Sequence, residues 1–379
     1  SVIIGSSTQS RLDLNTTDDW RTRRSLTTIK WLLRHKKKIV ILSHKGRPKR
    51  FEKSLSLKKD AQHLGKLLGR QVYFFKDFNF PKIKKEIKTS APGSVFVLEN
   101  LRFLPGEQKN SLKLAKQLAE VGDFYVNDAF AVCHRVNASV VAITKFLPGF
   151  AGLELESEIK NLSKAIENPL HPYLVILGGS KISTKLPLFN YLKSKADIFL
   201  VGGALANNLL LAAGYEVGRS LIEKGILEES KKIVKNKKVI LPVDVVVNDN
   251  RKKINKDIDK IKRDEVILDI GSKTEELFSE KIKGVKIIIW NGPMGKFEEK
   301  GFEKGTKEIA KAVFSNKRAK IIIGGGETVT ALLQVTRNTF ISTGGGAMLE
   351  FLSGKKLPGI AALENKGEPR PRHCLGGKH

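Results

Sequence analysis

Apolar runs rich in valine and isoleucine recur along the chain at 39–43, 95–99, 124–127, 173–177, 198–201, 239–247, 286–290 and 321–323, and helix-like stretches lie between many of them. Short runs of this kind read as strands buried on both faces, and their alternation with helices reads as repeated strand–helix–strand units. The expected fold class is therefore α/β, with parallel sheets covered by helices on both sides. A chain of 379 residues exceeds a usual single core, so two domains are expected. Leu155, Ile159, Leu162 and Ile166 mark one face of a helix that stops before Pro169 and could join the two halves. The resulting division is 1–153, a connecting helix at 154–169, 170–350, and a C-terminal segment at 351–379. Its end, 364–379, is rich in Gly, Pro and basic residues without apolar period, which predicts a poorly ordered tail.

Charge narrows the partners only slightly. Lys and Arg number 68 against 39 Asp and Glu, a net charge of +29. Such a balance suits nucleic acid, a membrane surface or small anions. The cations are spread along the whole chain, and no zinc-finger spacing, RNA-binding aromatic signature or basic zipper accompanies them, so no specific nucleic-acid partner is expected. No uninterrupted apolar stretch is long enough to span a bilayer, and the opening residues lack the basic start and apolar core of a signal peptide. The two cysteines, Cys133 and Cys374, sit in no metal-ligand spacing and are too few for a disulfide framework. A cytoplasmic protein with no membrane association is the expectation.

The chemistry is written at strand ends. Ile321–Thr328 and Phe340–Ala347 each pass from an apolar run through three glycines, Gly324 to Gly326 and Gly344 to Gly346, into helix-favouring residues. Glycine lets backbone N–H groups approach a phosphate, and the helix start adds unsatisfied N–H groups and a favourable dipole. Gly178-Gly179-Ser180-Lys181 ends another run, with Lys185 one helical turn beyond Lys181. Gly202-Gly203 and Trp290-Asn291-Gly292-Pro293 end two more. In the first half the strand ends are basic instead: Arg11, Asp13, Asn15 and Arg21, then Ser43-His44-Lys45-Gly46-Arg47-Pro48, then Arg102, then His134-Arg135. In a parallel sheet these ends share one edge, so they can converge on one pocket whose guanidinium forks suit carboxylate and phosphate. Neither a G-x-x-x-x-G-K-[ST] loop nor a G-x-G-x-x-G fingerprint after the first strand is present.

Taken in order, Arg11-x-Asp13-x-Asn15, Ser43-His44-x-Gly46-Arg47-Pro48, Leu98-Glu99-Asn100-Leu101-Arg102-Phe103, Tyr125 to Phe130, His134-Arg135, Gly178-Gly179-x-Lys181, Trp290-Asn291-Gly292-Pro293, the two triplets and Leu357-Pro358-Gly359 resemble the phosphoglycerate kinases over nearly the whole chain. The resemblance implies two doubly wound, Rossmann-like domains joined by a helix and hinge. The N-terminal domain would bind 3-phosphoglycerate or its acyl phosphate, and the C-terminal domain would bind ATP or ADP with Mg2+. Reversible phosphoryl transfer would pass between 1,3-bisphosphoglycerate with ADP and 3-phosphoglycerate with ATP, after hinge closure in a monomer.

Carried over by residue, Asp13, Leu14, Asn15, Arg21, His44, Lys45, Gly46, Arg47, Arg102 and Arg135 would hold the triose acid. Gly179, Ser180, Lys181, Lys185, Gly203, Asn291, Glu298, Gly325, Gly326, Glu327 and Thr328 would serve the nucleotide, with Glu327 on the metal. Arg21, Lys181, Gly345 and Gly346 would act on the transferring group. The chain departs from the family pattern in three places: a short connection from Asn15 to Arg21, Ser180 in place of alanine, and Glu327 in place of aspartate. Arg21 is chosen over Arg23 and Arg24 by its spacing to Leu26-Thr27-Thr28-Ile29. A second reading, a catalytically weakened relative that binds polyanions, is suggested by the net charge and the shortened loop.

Overall fold

The computed structural model describes residues 1–6, 20–249, 252–332 and 336–364. It divides into two compact units, one of residues 1–160 with 356–379 and one of residues 161–355. The boundary between residues 160 and 161 falls inside the helix Leu153–Ile166.

In the first unit β1 (Val2–Ser6), β2 (Ile39–Leu42), β3 (Val72–Phe75), β4 (Val95–Leu98), β5 (Phe124–Asp128) and β6 (Gly149–Ala151) form one all-parallel sheet in the order β3-β4-β2-β1-β5-β6. The two-residue period of each strand sends alternate side chains to opposite faces. Val2, Ile4, Ile39, Ile41, Val95 and Val97 pack with Leu26, Ile29 and Leu64 of the helices Trp20–Arg34 and Lys58–Leu68. Their neighbours Ile3, Val40, Leu42, Phe96 and Leu98 pack on the other face with Ile83, Ile87, Leu114 and Leu118 of the helices Phe80–Thr89 and Leu112–Ala119. Burial on both faces is why these strands read as unbroken apolar runs.

The second unit holds β7 (Tyr173–Leu177), β8 (Ile198–Val201), β9 (Val239–Ile240), β10 (Asp244–Asp249), β11 (Lys252–Asp257), β12 (Val266–Ile270), β13 (Ile287–Asn291), β14 (Lys320–Gly324) and β15 (Thr339–Ser342). Six of them make a parallel sheet in the order β15-β14-β13-β7-β8-β9. The other three make a small antiparallel sheet, β11-β10-β12.

That small sheet is an addition to the two parallel sheets that were expected, and the apolar run at 239–247 is not one strand. Pro242 interrupts it, since a proline cannot donate to a ladder and biases the residue before it. Val239 and Ile240 join the edge of the large sheet, whereas residues from Asp244 onward pair antiparallel in the small one. Val245 and Val247 there close a separate core with Leu210, Val217, Ile261 and Ile267. Among the described residues no helix is long and apolar enough to cross a membrane.

Candidate active site

At the C-terminal edge of the first sheet, two buried polar residues after β4 organise the loop that follows β2. Glu99 accepts from Ser56 Oγ (2.7 Å), the Leu57 amide (2.9 Å) and the Asn100 amide (2.7 Å). Asn100 in turn donates to the carbonyls of Lys45 (2.8 Å) and Leu55 (3.0 Å) and accepts from the Lys45 amide (3.1 Å). Arg102, in the turn just beyond, donates through one terminal nitrogen to the Gly46 carbonyl. The main chain of this loop is thereby fixed against the turn that carries Arg102.

The electrostatics of this pocket are one-sided. Burial pushes the His44 imidazole down to about 3, and the charges of Arg102 and Arg135 push the same way, so the ring is neutral at physiological pH. Burial, followed by Arg135 and Arg47, lowers Arg102 to about 10, against which Glu107 supplies the opposing pull. Arg135 is lowered by burial and by Arg47. His44 Nε2 and the Nε and second terminal nitrogen of Arg102 are buried and have no hydrogen-bond partner among the described residues. Buried polar groups are rarely left so, and a cluster of cations in which Arg102 and Arg135 are held below their ordinary range is satisfied by an anion with several acceptor oxygens.

The predicted residues of this half fall at different depths. Arg47 is exposed and Arg135 half-buried, both facing the cluster. Lys45 reaches away to Asp60 at 3.1 Å, so its charge is already answered. Arg21 lies in the first turn of the helix Trp20–Arg34 with its guanidinium carbon 4.8 Å from the Trp20 ring centroid. Arg24 instead meets Glu154 at 3.0 Å. Asp13, Leu14 and Asn15, together with Arg11, lie outside the described residues.

In the second unit, glycines bring three strand-end turns into main-chain contact. The Gly178 amide donates to the Asn291 carbonyl (3.0 Å), the Gly179 amide to Pro293 (2.9 Å), the Gly203 amide to Met294 (2.7 Å) and the Leu205 amide back to Gly179 (2.9 Å). A Cβ on Gly178 would strike the Pro293 carbonyl, so the close approach requires glycine there. Beyond β14, Gly325 has φ +98°, and a side chain on it would crowd Asn291 and Thr328. Thr328 is buried, its hydroxyl accepting the Gly292 amide at 2.8 Å, and so it ties the triplet to the Asn291–Pro293 turn.

Beside this zipper opens a cavity of about 460 Å³, lined by Gly179, Ser180 and Gly203 on the large-sheet side and by Glu298 and Glu327 at its polar end. Leu221, Val245 and Ile267 contribute its apolar wall. The volume is that of a small-molecule site, with few polar groups among apolar ones.

Lys185 is half-buried, donates to the side-chain oxygen of Asn291, and is lowered by burial to about 8 although Glu327 pulls it the other way. Asn291 itself is buried, its amide donating to the Gly324 carbonyl at 2.9 Å. Lys181 and Glu327 are exposed. Gly326 opens the helix Gly326–Ala331. Gly345, with φ +38°, precedes the helix Gly346–Leu352. Within that second triplet the Gly344 amide donates to Ser342 Oγ at 3.1 Å.

Sequence reasoning did not find the apolar wall. Val245 and Ile267 look like ordinary core residues, and only the antiparallel sheet, which had no local signal of its own, brings them to the cavity; Leu221 reaches it from the loop that follows the helix Gly203–Ala212. Asp269 was missed for the same reason. Buried on that sheet, it accepts the Gly305 amide (2.8 Å) and is raised to about 7 by burial.

A family model described as phosphoglycerate kinase matches residues 7–355. The phosphoglycerate kinase of Dictyoglomus turgidum is 42% identical over 362 residues, covering 92% of this chain and 91% of that protein. The phosphoglycerate kinase of a Nitratiruptor species is 46% identical over 365 residues, with the same coverage of 92% and 91%. Among solved structures, phosphoglycerate kinase from Coxiella burnetii superposes with a TM-score of 0.82 at 37% identity, covering 97% of this chain and 96% of that one. The enzyme from Pyrococcus horikoshii gives 0.86 at 31% identity, covering 96% and 95%. Likeness of this extent, in sequence and in backbone alike, establishes that the chain belongs to the phosphoglycerate kinase family.

Proposed function

We propose that the chain transfers a phosphoryl group reversibly between the acyl phosphate of 1,3-bisphosphoglycerate and ADP, giving 3-phosphoglycerate and ATP. The observation that carries this reading is the pocket of His44, Arg47, Arg102 and Arg135, where burial and neighbouring cations depress Arg102 and Arg135 and where buried ring and guanidinium nitrogens have no partner among the described residues, a setting that calls for a small polyanion. The first unit then binds the triose acid. The second unit binds the nucleotide in the cavity that runs from the apolar wall to Glu298 and Glu327.

The residues fit a magnesium ion brought by the nucleotide. Mg2+ asks for one or two carboxylates, with waters and phosphate oxygens completing its octahedron, and Glu327 offers one exposed carboxylate at the polar end of the cavity. An ion held there by Glu327 would supply positive charge against the negative charge that develops on the phosphates. The protein's own part is positioning and electrostatics. Lys181 and Lys185 supply two ammonium groups from the turn before the helix Leu186–Leu192, the second kept in place by Asn291. Gly325, Gly326, Gly345 and Gly346 offer main-chain amides at two helix starts, and Arg21 faces the charge of the moving group. His44, held neutral, donates without adding a cation that would overbind the product acid.

The partners under this reading are small molecules, and kinship alone supports a monomer in the cytoplasm. A coupled assay with ATP, Mg2+ and 3-phosphoglycerate tests the proposal. Absence of turnover with this acceptor, in protein that is folded, would reject it.

A further inference from the structure

The segment that carries Lys181 and Lys185 is short and mostly solvent-facing, yet three anchors pin it. Ile182 is buried, and its carbonyl accepts the amides of Lys185 (2.8 Å) and Leu186 (3.0 Å). Lys185 is tied to Asn291. The third anchor comes from a different part of the fold. One carboxylate oxygen of Glu223 accepts the Ser183 amide at 3.0 Å, and the other accepts the Ser183 hydroxyl.

Glu223 is itself held at its main chain. Asn208, buried in the helix Gly203–Ala212, accepts the Glu223 amide (3.1 Å) and donates to the Glu223 carbonyl (2.9 Å). Asn207, one residue earlier on the same helix, donates to the Leu221 carbonyl at 3.1 Å. The helix that begins at Gly203, in the turn zipped to Gly179, thus fixes the 221–223 loop, and that loop fixes Ser183. Burial raises the Glu223 carboxyl, but the Ser183 hydroxyl and amide, the Ile182 amide and the charge of Lys181 outweigh it, so the group stays ionised.

We propose that Glu223 is a positioning residue for phosphoryl transfer, holding the 181–185 segment in register with the nucleotide-side turns so that both lysine ammonium groups meet the phosphates. The proposal rests on the kinase reading above. Its chemistry is simple: a carboxylate that receives a hydroxyl and a main-chain amide from one residue fixes both position and orientation, and a misplacement of about 1 Å at a phosphoryl site can lower turnover about 10²-fold. Leu221, two residues before Glu223, lines the apolar wall of the cavity, so the same loop meets the nucleotide pocket on one side and the lysine segment on the other.

The test uses the full chain with Glu223→Gln, which keeps the shape and removes the charge and one acceptor. Ser183→Ala, which removes only the hydroxyl arm, provides a second variant should the first fold poorly. Two readouts are taken. In ligand-free protein, amide hydrogen exchange of residues 182–185 should quicken by at least about 10-fold in Glu223→Gln while the helix Gly203–Ala212 keeps its protection. In the coupled assay, kcat should fall by about 10- to 100-fold, with the KM for 3-phosphoglycerate unmoved. Ser183→Ala should fall in the same direction but less far, and the double variant should be no worse than Glu223→Gln alone.

Unchanged exchange overturns the proposal whatever the turnover. Faster exchange with unchanged kcat reduces Glu223 to a structural clamp and overturns it equally. If the wild-type chain shows no turnover, the kinase reading is what fails, and the exchange comparison still decides whether Glu223 holds the lysine segment.

Discussion

Lys185 and Asn291 form a hydrogen-bonded pair among the glycine turns of the second unit, the ammonium donating to a carboxamide whose own amide donates to the Gly324 carbonyl. The pair couples one strand end to the glycine turn beside it. It also keeps Lys185 in a setting where burial lowers its proton affinity to about 8.

The pH dependence follows from that shift. As pH rises through about 8, folded Lys185 gives up a proton that the unfolded chain keeps until about 10.5, so stability gains a little over this window while the site loses a cation. Affinity for ATP should therefore weaken as pH rises above 8. Titration of nucleotide binding from pH 7 to 9.5 checks this, and Lys185→Arg should flatten the curve because a guanidinium stays charged. A wild-type curve as flat as that of the variant would refute the assignment.

His44 should remain a neutral ring far into acid. Its imidazole proton resonances should show no titration between about pH 8 and pH 4, against an ordinary midpoint near 6.5. The unfolded chain takes up this proton below about 6.5 and the folded chain only near 3, so the group removes stability as pH falls across that interval. Adding 3-phosphoglycerate should move the midpoint upward, since its negative charge offsets Arg102 and Arg135. A free-protein midpoint above about 5.5 would show the ring to be wetter than this geometry allows.

Of the three arginines near the start of the first described helix, only one should matter greatly for turnover. Arg24 is engaged with Glu154, and Arg23 is exposed, whereas Arg21 lies half-buried against Trp20 at the helix start. Arg21→Ala should lower kcat by about 10²- to 10³-fold with the melting temperature little changed. Arg24→Ala should act mainly on stability, because Glu154, which burial already raises to about 7, loses its cation. The reverse pattern in kcat would mean that the loop has been aligned one helical turn out of place.

Glu327 separates a metal role from a helix-start role. An acid in the first turn of a helix contributes no more than about 1 kcal/mol through the dipole, and Glu327→Gln should keep most of that helix intact. If the carboxylate serves magnesium, the Gln variant should need several-fold more Mg2+ for half-maximal activity, and Glu327→Asp should remain active. An unaltered magnesium titration would leave only the helix-start role.

The parallel sheets could be read from the chain because strands buried on both faces announce themselves as runs such as Val95 to Leu98, and the basic strand ends could be read because His44, Arg47 and Arg102 sit in long, unusual strings. The first strand is equally apolar, but Val2 to Ser6 stands alone before a stretch without period, and it was not recognised as a strand. The antiparallel sheet was illegible for a physical reason. Its edge strand, Lys252–Asp257, carries three lysines and lies largely in water, so no buried face imprints an apolar period on it. Glu223 was equally hidden, since nothing near it in sequence hints that its carboxylate will meet Ser183, 40 residues upstream.

Because the floor of the nucleotide-side cavity is assembled from peptide groups meeting peptide groups, it offers an engineer almost nothing to exchange: each glycine there either stays or opens the seam. The part of the wall built by Val245 and Ile267 is different, for these residues line the cavity from a separate small sheet with its own core. If the proposed nucleotide site is right, retuning which base is accepted becomes a matter of repapering these two positions, which lie on strands other than those that end in the glycine turns.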